Sequence, residues 1–216
     1  MPGLALLVTE LAMVPDRPGQ GGCGTCSRCL DACPTGALEA PYVLRADRCL
    51  AYLTIEERGA IPTELRGAVG DWVFGCDTCQ QVCPHNHRPH PAADAALDSC
   101  QGAGAYLDLE RLLTIEDADA YLGRLQGTAL TRPGREGLIR NGCLAVARLG
   151  LVDLSPLLCR LLLSDPSPLV RGHAAWALGR LNDPRCRERL LDASAAEADP
   201  AVLQEIRRAV AGDAGL

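Results

Sequence analysis

CGTCSRCLDACP (Cys23–Pro34) and CDTCQQVCP (Cys76–Pro84) decide how the rest of this 216-residue chain is read. The first run holds Cys23, Cys26, Cys29 and Cys33; the second holds Cys76, Cys79 and Cys83, with Cys49 between them. Three cysteines two residues apart wrap a tight loop around one face of a cuboidal cluster, and soft thiolates suit iron. The fourth, three residues on, starts a helical turn that carries it toward a neighbouring cluster. C-x2-C-x2-C-x3-C-P is the bacterial iron–sulfur spacing in which that fourth cysteine ligates the other cluster. Pro34 and Pro84 set the exit direction with a fixed φ.

The second run is one cysteine short, so a remote thiolate must complete it, and Cys49 is the only cysteine between the runs. The spacing therefore predicts two [4Fe–4S] clusters. Cys23, Cys26, Cys29 and Cys83 hold one; Cys33, Cys49, Cys76 and Cys79 hold the other. Structural zinc and disulfides compete for the same pattern, and Cys49 competes as a plain buried thiol. The absence of a secretory signal and the C-x3-C-P ending, used twice, favour iron–sulfur.

Composition sets outer bounds. The chain has ordinary hydrophobic content, few aromatics and no lysine, so all 21 basic residues are arginine; the formal charge is −6. That balance excludes wholesale electrostatic binding of nucleic acid. The charge is uneven, however: Arg124 to Arg148 contains five arginines and one acid, Glu136. Leu4 to Val14 is too short to span a bilayer and is broken by Glu10. With no basic n-region, the expectation is a cytoplasmic protein with no membrane partner.

In chain order, residues 1–22 read as a remnant of a preceding domain and a linker, VPDRPGQGG. Residues 23–100 form the cluster module. Pro41 to Cys49 reads as a short strand and a helix start, and Tyr52 to Cys76 as containing one short helix capped by Thr63 with Pro62 just outside. HNHRPHP (His85, His87 and His90) reads as a loop. From Tyr106 the pattern is helical only, with Thr114 and Asp117 as a capping-box variant. GLIRNGCLAVARLG (Gly137–Gly150) resembles PLVRGHAAWALGRL (Pro168–Leu181), and DPAVLQEIRRAV (Asp199–Val210) repeats the DPSPLVR opening. Paired helices with Asp-Pro turns look like HEAT repeats of short period across residues 101–216. The expected fold is mainly α with a small α+β part: a dicluster ferredoxin-like module, then HEAT-like repeats. His173 reads as structural, and Cys100, Cys143, Cys159 and Cys186 as buried free thiols.

Taken with PYVLRADRCLAYLTIE (Pro41–Glu56), GAIPTELRGAVGDWVFGCDTCQQVCPHN (Gly59–Asn86) and GTALTRPGREGLIRN (Gly127–Asn141), the chain resembles the epoxyqueuosine reductase family along nearly its whole length. The resemblance implies a cobalamin-dependent oxidoreductase that reduces epoxyqueuosine to queuosine at the tRNA wobble position. It implies two clusters relaying electrons from an external donor, and a repeat domain that helps hold the anticodon stem-loop. It places AYLTIE and the Cys76–Asp77 pair near the corrin, which singles out Tyr52, Thr54 and Asp77. Arg132, Arg135 and Arg140 become candidate phosphate contacts, and Asn141 a cap or a bridge between repeats. The family also carries an amino-terminal domain that forms most of the cobalamin pocket and supplies the proton donor. Only a remnant stands before Gly22, so no catalytic residue is assigned. The chain is expected to need a separate cobalamin-binding domain and to be inactive alone. The alternative is a stand-alone dicluster electron carrier with a docking solenoid.

Overall fold

The computed structural model describes residues 7–17, 22–87, 103–104 and 106–212. The 100/101 domain boundary, His90 and Cys100 lie outside the described residues. The cluster module holds α1 (Arg28–Ala32), a two-stranded antiparallel ribbon of β1 (Leu38–Ala40) and β2 (Val43–Leu44), α2 (Leu50–Ile55), α3 (Thr63–Val69) and α4 (Thr78–Gln81). Helices α5 (Leu109–Leu113) and α6 (Ala118–Leu125) lead into α7 (Gly134–Leu149), α8 (Ser155–Ser164), α9 (Pro168–Leu181), α10 (Pro184–Ala196) and α11 (Pro200–Ala211).

Local chemistry explains the repeat helices. Pro168, Pro184 and Pro200 each open a helix, where the missing N–H costs nothing. Asp183 and Asp199 cap α10 and α11, their carboxylates accepting from the Arg185 N–H and from the Ala201 and Val202 N–H groups. Gly150, Asn182 and Gly212 end α7, α9 and α11 in the left-handed conformation. Asp165-Pro166 is different. Asp165 accepts from Ser167 N–H, and the helix starts only at Pro168.

Helices α7, α9 and α11 pack side by side, with α8 and α10 forming the other layer. Helix α9 is the central element. Val170, Ala174, Ala175, Ala177 and Leu178 are buried around it, because neighbours cover it on several sides. Its glycine at 179 sets the spacing to α11, since a Cβ there would stand 2.7 Å from Ala209 Cα and Cβ. Gly179→Ala should therefore destabilise the chain by about 1–3 kcal/mol, although alanine is the better helix former. Urea unfolding with an unchanged slope and a lower midpoint is the expected reading. The cluster module is not packed separately: Leu50, Leu53, Ile61, Leu65 and Val69 share one hydrophobic cluster with Leu138, Ile139 and Trp176.

Three local expectations are corrected. The stretch Tyr52–Cys76 holds the greater part of α2 as well as α3. Pro62, not Thr63, occupies the cap position of α3, and no side chain caps it. Thr114 ends α5 by donating to Arg111 O, while Asp117 caps α6 by accepting from Ala120 N–H. The two residues serve different helices, so no capping box forms.

Candidate metal centre

The two cysteine runs fold as near copies. Cys26 N–H donates to Cys23 O (3.0 Å) to turn the first loop, and Ser27 flanks α1, which carries Cys29. Asp77 flanks α4, which carries Cys79. Helices α1 and α4 pack against each other and bring the runs together. Cys33 and Cys83 follow these helices at φ/ψ of −69/114° and −71/123°. Cys49 leaves the 3-10 turn Ala46–Arg48 at −73/122°. The remote cysteine thus has the same exit geometry as the two residues preceding Pro34 and Pro84.

Cys23, Cys26, Cys29 and Cys83 line one small cavity of about 50 Å³, closed by Arg28, Pro84 and His85. This is the first set expected from spacing. Cys79 lies close enough to Cys76, Cys49 and Cys29 that, after burial, their charges push its thiol up. At Cys33, burial raises the thiol, but N–H groups of Leu38, Thr35 and Ala37 and the Thr35 hydroxyl outweigh it, leaving the thiol lowered. Ala37 N–H donates to Cys33 Sγ at 3.3 Å. Main-chain donors aimed at sulfur favour the thiolate, the form that binds iron.

All the described cysteines are free, so no disulfide uses them. Among the described residues no three His, Cys, Asp or Glu side chains close around a single ion. The sulfur donors and the cavity fit the cluster reading.

A buried polar joint ties this module to the repeats. Arg140, fully buried in α7, donates to the carbonyls of Leu53 (2.7 Å), Glu57 (2.9 Å) and Gly59 (2.6 Å), and to Asn141 Oδ1. Asn141 donates to Thr54 O and Val73 O, both at 2.8 Å. Thr54 Oγ1 donates to Leu50 O and accepts from Gly75 N–H, the residue before Cys76. A second joint sets Arg66 of α3 bidentate on Glu205 of α11 and over the Trp176 ring.

These contacts correct several expected roles. Arg140 is turned inward and cannot meet a phosphate. Arg135 is paired bidentate with buried Asp165 and donates to Ile115 O. Thr54 is buried and spent on main-chain partners, so it cannot contact a corrin. Asn141 bridges, but from α7 to the cluster module rather than between repeats. Arg132 is exposed and pairs with Glu56, and Tyr52 and Asp77 are exposed too. His85 borders the first cavity and His87 ends the 3-10 turn Pro84–Asn86. Cys143 and Cys186 are buried as expected, but Cys159 is half-buried.

His173 is buried in α9. Its Nδ1 lies 2.9 Å from Leu169 O, which can only accept, so Nδ1 carries the proton and buried Nε2 has no partner. Burial first, then the charges of Arg66 and Arg140, lower its pKa from 6.5 to about 3. The unfolded chain therefore takes up a proton that the folded chain refuses. Stability present above pH 6.5 should be lost as pH falls from 6.5 toward 3, by about 2 kcal/mol at pH 5 from this group. His173→Leu should flatten that acid limb in urea titrations at stepped pH.

Fold and cysteine geometry together define an iron–sulfur module of two cysteine loops built onto HEAT-like repeats. The 4Fe-4S double cluster binding domain matches residues 22–86, and HEAT repeats match residues 130–211. Epoxyqueuosine reductase of Bacillus subtilis is 36% identical over 213 residues, covering 96% of this chain and 53% of the relative. A solved epoxyqueuosine reductase with an epoxyqueuosine-modified tRNA-Tyr stem loop superposes at TM-score 0.79 and 36% identity, over 94% of this chain and 53% of that one. An uncharacterized protein in the gldA 3′ region of Geobacillus stearothermophilus is 33% identical over 96% of this chain and 94% of its own length. The chain belongs to the epoxyqueuosine reductase family and matches its carboxy-terminal part. It spans about half the length of the epoxyqueuosine reductases it matches. Among the described residues no helix is long and apolar enough to cross a membrane.

Proposed function

We propose that this chain is the electron-delivering and RNA-holding part of an epoxyqueuosine reductase. The overall change would be epoxyqueuosine plus two electrons and two protons giving queuosine plus water. Cys23, Cys26, Cys29 and Cys83 hold one [4Fe–4S] cluster, and Cys33, Cys49, Cys76 and Cys79 the other. Electrons enter from an external donor. Cobalamin, when bound, would supply the reducing metal centre, and exposed Tyr52 and Asp77 are the residues of this chain that would border it. Arg132 is the surviving phosphate contact, its exposed pairing with Glu56 being cheap to exchange.

The observation that carries this reading is the fold likeness to the stem-loop-bound reductase across both modules at once. A stand-alone electron carrier needs no likeness in the repeats. The test joins anaerobically iron-loaded chain with a relative's amino-terminal domain, cobalamin, a chemical reductant and tRNA bearing epoxyqueuosine. Queuosine should form with all parts present and not without the added domain. Stem-loop binding should weaken with salt, and Arg132→Ala should lower the salt slope by about one. Clusters that reduce normally in a chain showing no salt-dependent RNA binding would instead make it a carrier.

A further inference from the structure

Cys159 and Cys186 take no part in the cluster loops. Cys159 lies midway along α8 and Cys186 in the first turn of α10, and these helices pack together. Both thiols line the same groove between those helices, and Cys186 is near enough to perturb the Cys159 thiol. Cys186 is only 2% exposed, and its thiol also faces the Asp183 carboxylate that caps α10. Cys159 is half-buried and lines a groove of about 670 Å³ between the helices. Arg160, Arg185 and Arg189 stand around that groove.

Thiols on two packed helices can join where their Cα atoms stand within about 7 Å of each other. Both line the groove, but Cys159 is the more exposed of the two, which orders the chemistry. We propose that Cys159 and Cys186 are an oxidisable pair that locks α8 to α10 through a disulfide when a small-molecule disulfide such as oxidised glutathione enters the groove. The Cys159 thiolate attacks one glutathione sulfur, forming a mixed disulfide and expelling one glutathione thiolate. Cys186 then gives up its proton and attacks the Cys159 sulfur, expelling the second. Two protein thiols lose two electrons in total, and one oxidised glutathione becomes two reduced ones. The three arginines outnumber Asp153 and Asp183 in the groove, but Arg185 is already paired with Asp183, so the pull on the oxidant's carboxylates is weak. Burial, then the neighbouring Cys186, push the Cys159 thiol up to about 11, so the first step is slow at neutral pH.

The test uses the iron-loaded chain held anaerobically with oxidised glutathione, followed by alkylation and tryptic cleavage. Residues 149–160 should be found joined to residues 186–187, two hydrogens lighter than their sum, and a reductant should separate them. The oxidised chain should melt at a higher temperature. Cys186→Ser should stop the reaction at Cys159 carrying one glutathione, and Cys159→Ser should leave Cys186 unmodified in the folded chain. A persistent Cys159–glutathione adduct in the unaltered chain without the linked peptide would overturn the proposal, as would no reaction at either residue. The unaltered chain decides the matter even if a variant fails to fold.

Discussion

Replacing Arg140 with methionine should cost the folded chain about 3–5 kcal/mol, with little effect attributable to lost RNA contact. Methionine nearly fills the space but donates nothing. The carbonyls of Leu53, Glu57 and Gly59 then lose a charged donor, the first in a buried site and the other two in partly covered ones. Two of those carbonyls lie in and just after α2, whose C-terminal end attracts a positive charge. Burial, partly offset by Glu57, lowers the Arg140 pKa to about 10, so it is still charged at neutral pH. The loss extends toward the clusters, because Asn141 and Thr54 hold the segment that leads through Gly75 into Cys76. Urea unfolding of the iron-loaded chain, with iron retention followed in parallel, measures both effects. An unchanged midpoint combined with weaker stem-loop binding would put Arg140 back on the surface and contradict the joint.

Cys49→Ser should remove one cluster, taking iron from about eight to about four per chain. Serine keeps the size of the side chain but offers a hard oxygen where iron needs a soft thiolate. The cluster completed by Cys23, Cys26, Cys29 and Cys83 should persist, since its cavity contains no atom of residue 49. Cys83→Ser should do the reverse, and Cys159→Ser should leave the iron count alone. Full iron in Cys49→Ser would mean that another thiol completes the second cluster and that residue 49 is only packing.

The cysteine loops could be read from the chain because their geometry is local. Ligands three or four residues apart take their positions from one turn of backbone, and Pro34 and Pro84 add a fixed direction. The repeats were legible for a related reason, since Asp-Pro starts and buried alanines recur at helical spacing. Helix α2 shows in the sequence only as a helix start before Cys49, because it is six residues long and has no capping side chain to mark its extent. Thr114 and Asp117 sit three apart as a capping box requires, but a helix break falls between them.

The arginines show where local reading stops. Arg132, Arg135 and Arg140 look alike in one basic strip, yet the first is exposed, the second is neutralised by Asp165 thirty residues away, and the third is sealed against α2. The contact between Cys159 and Cys186 is equally silent in one dimension. Spacing alone determined where the two cysteine loops lie and which segments coil, because short-range backbone geometry controls both. Packing between distant helices decided which charges meet solvent and which meet a carbonyl, because desolvation depends on what covers a group and not on its neighbours in the chain.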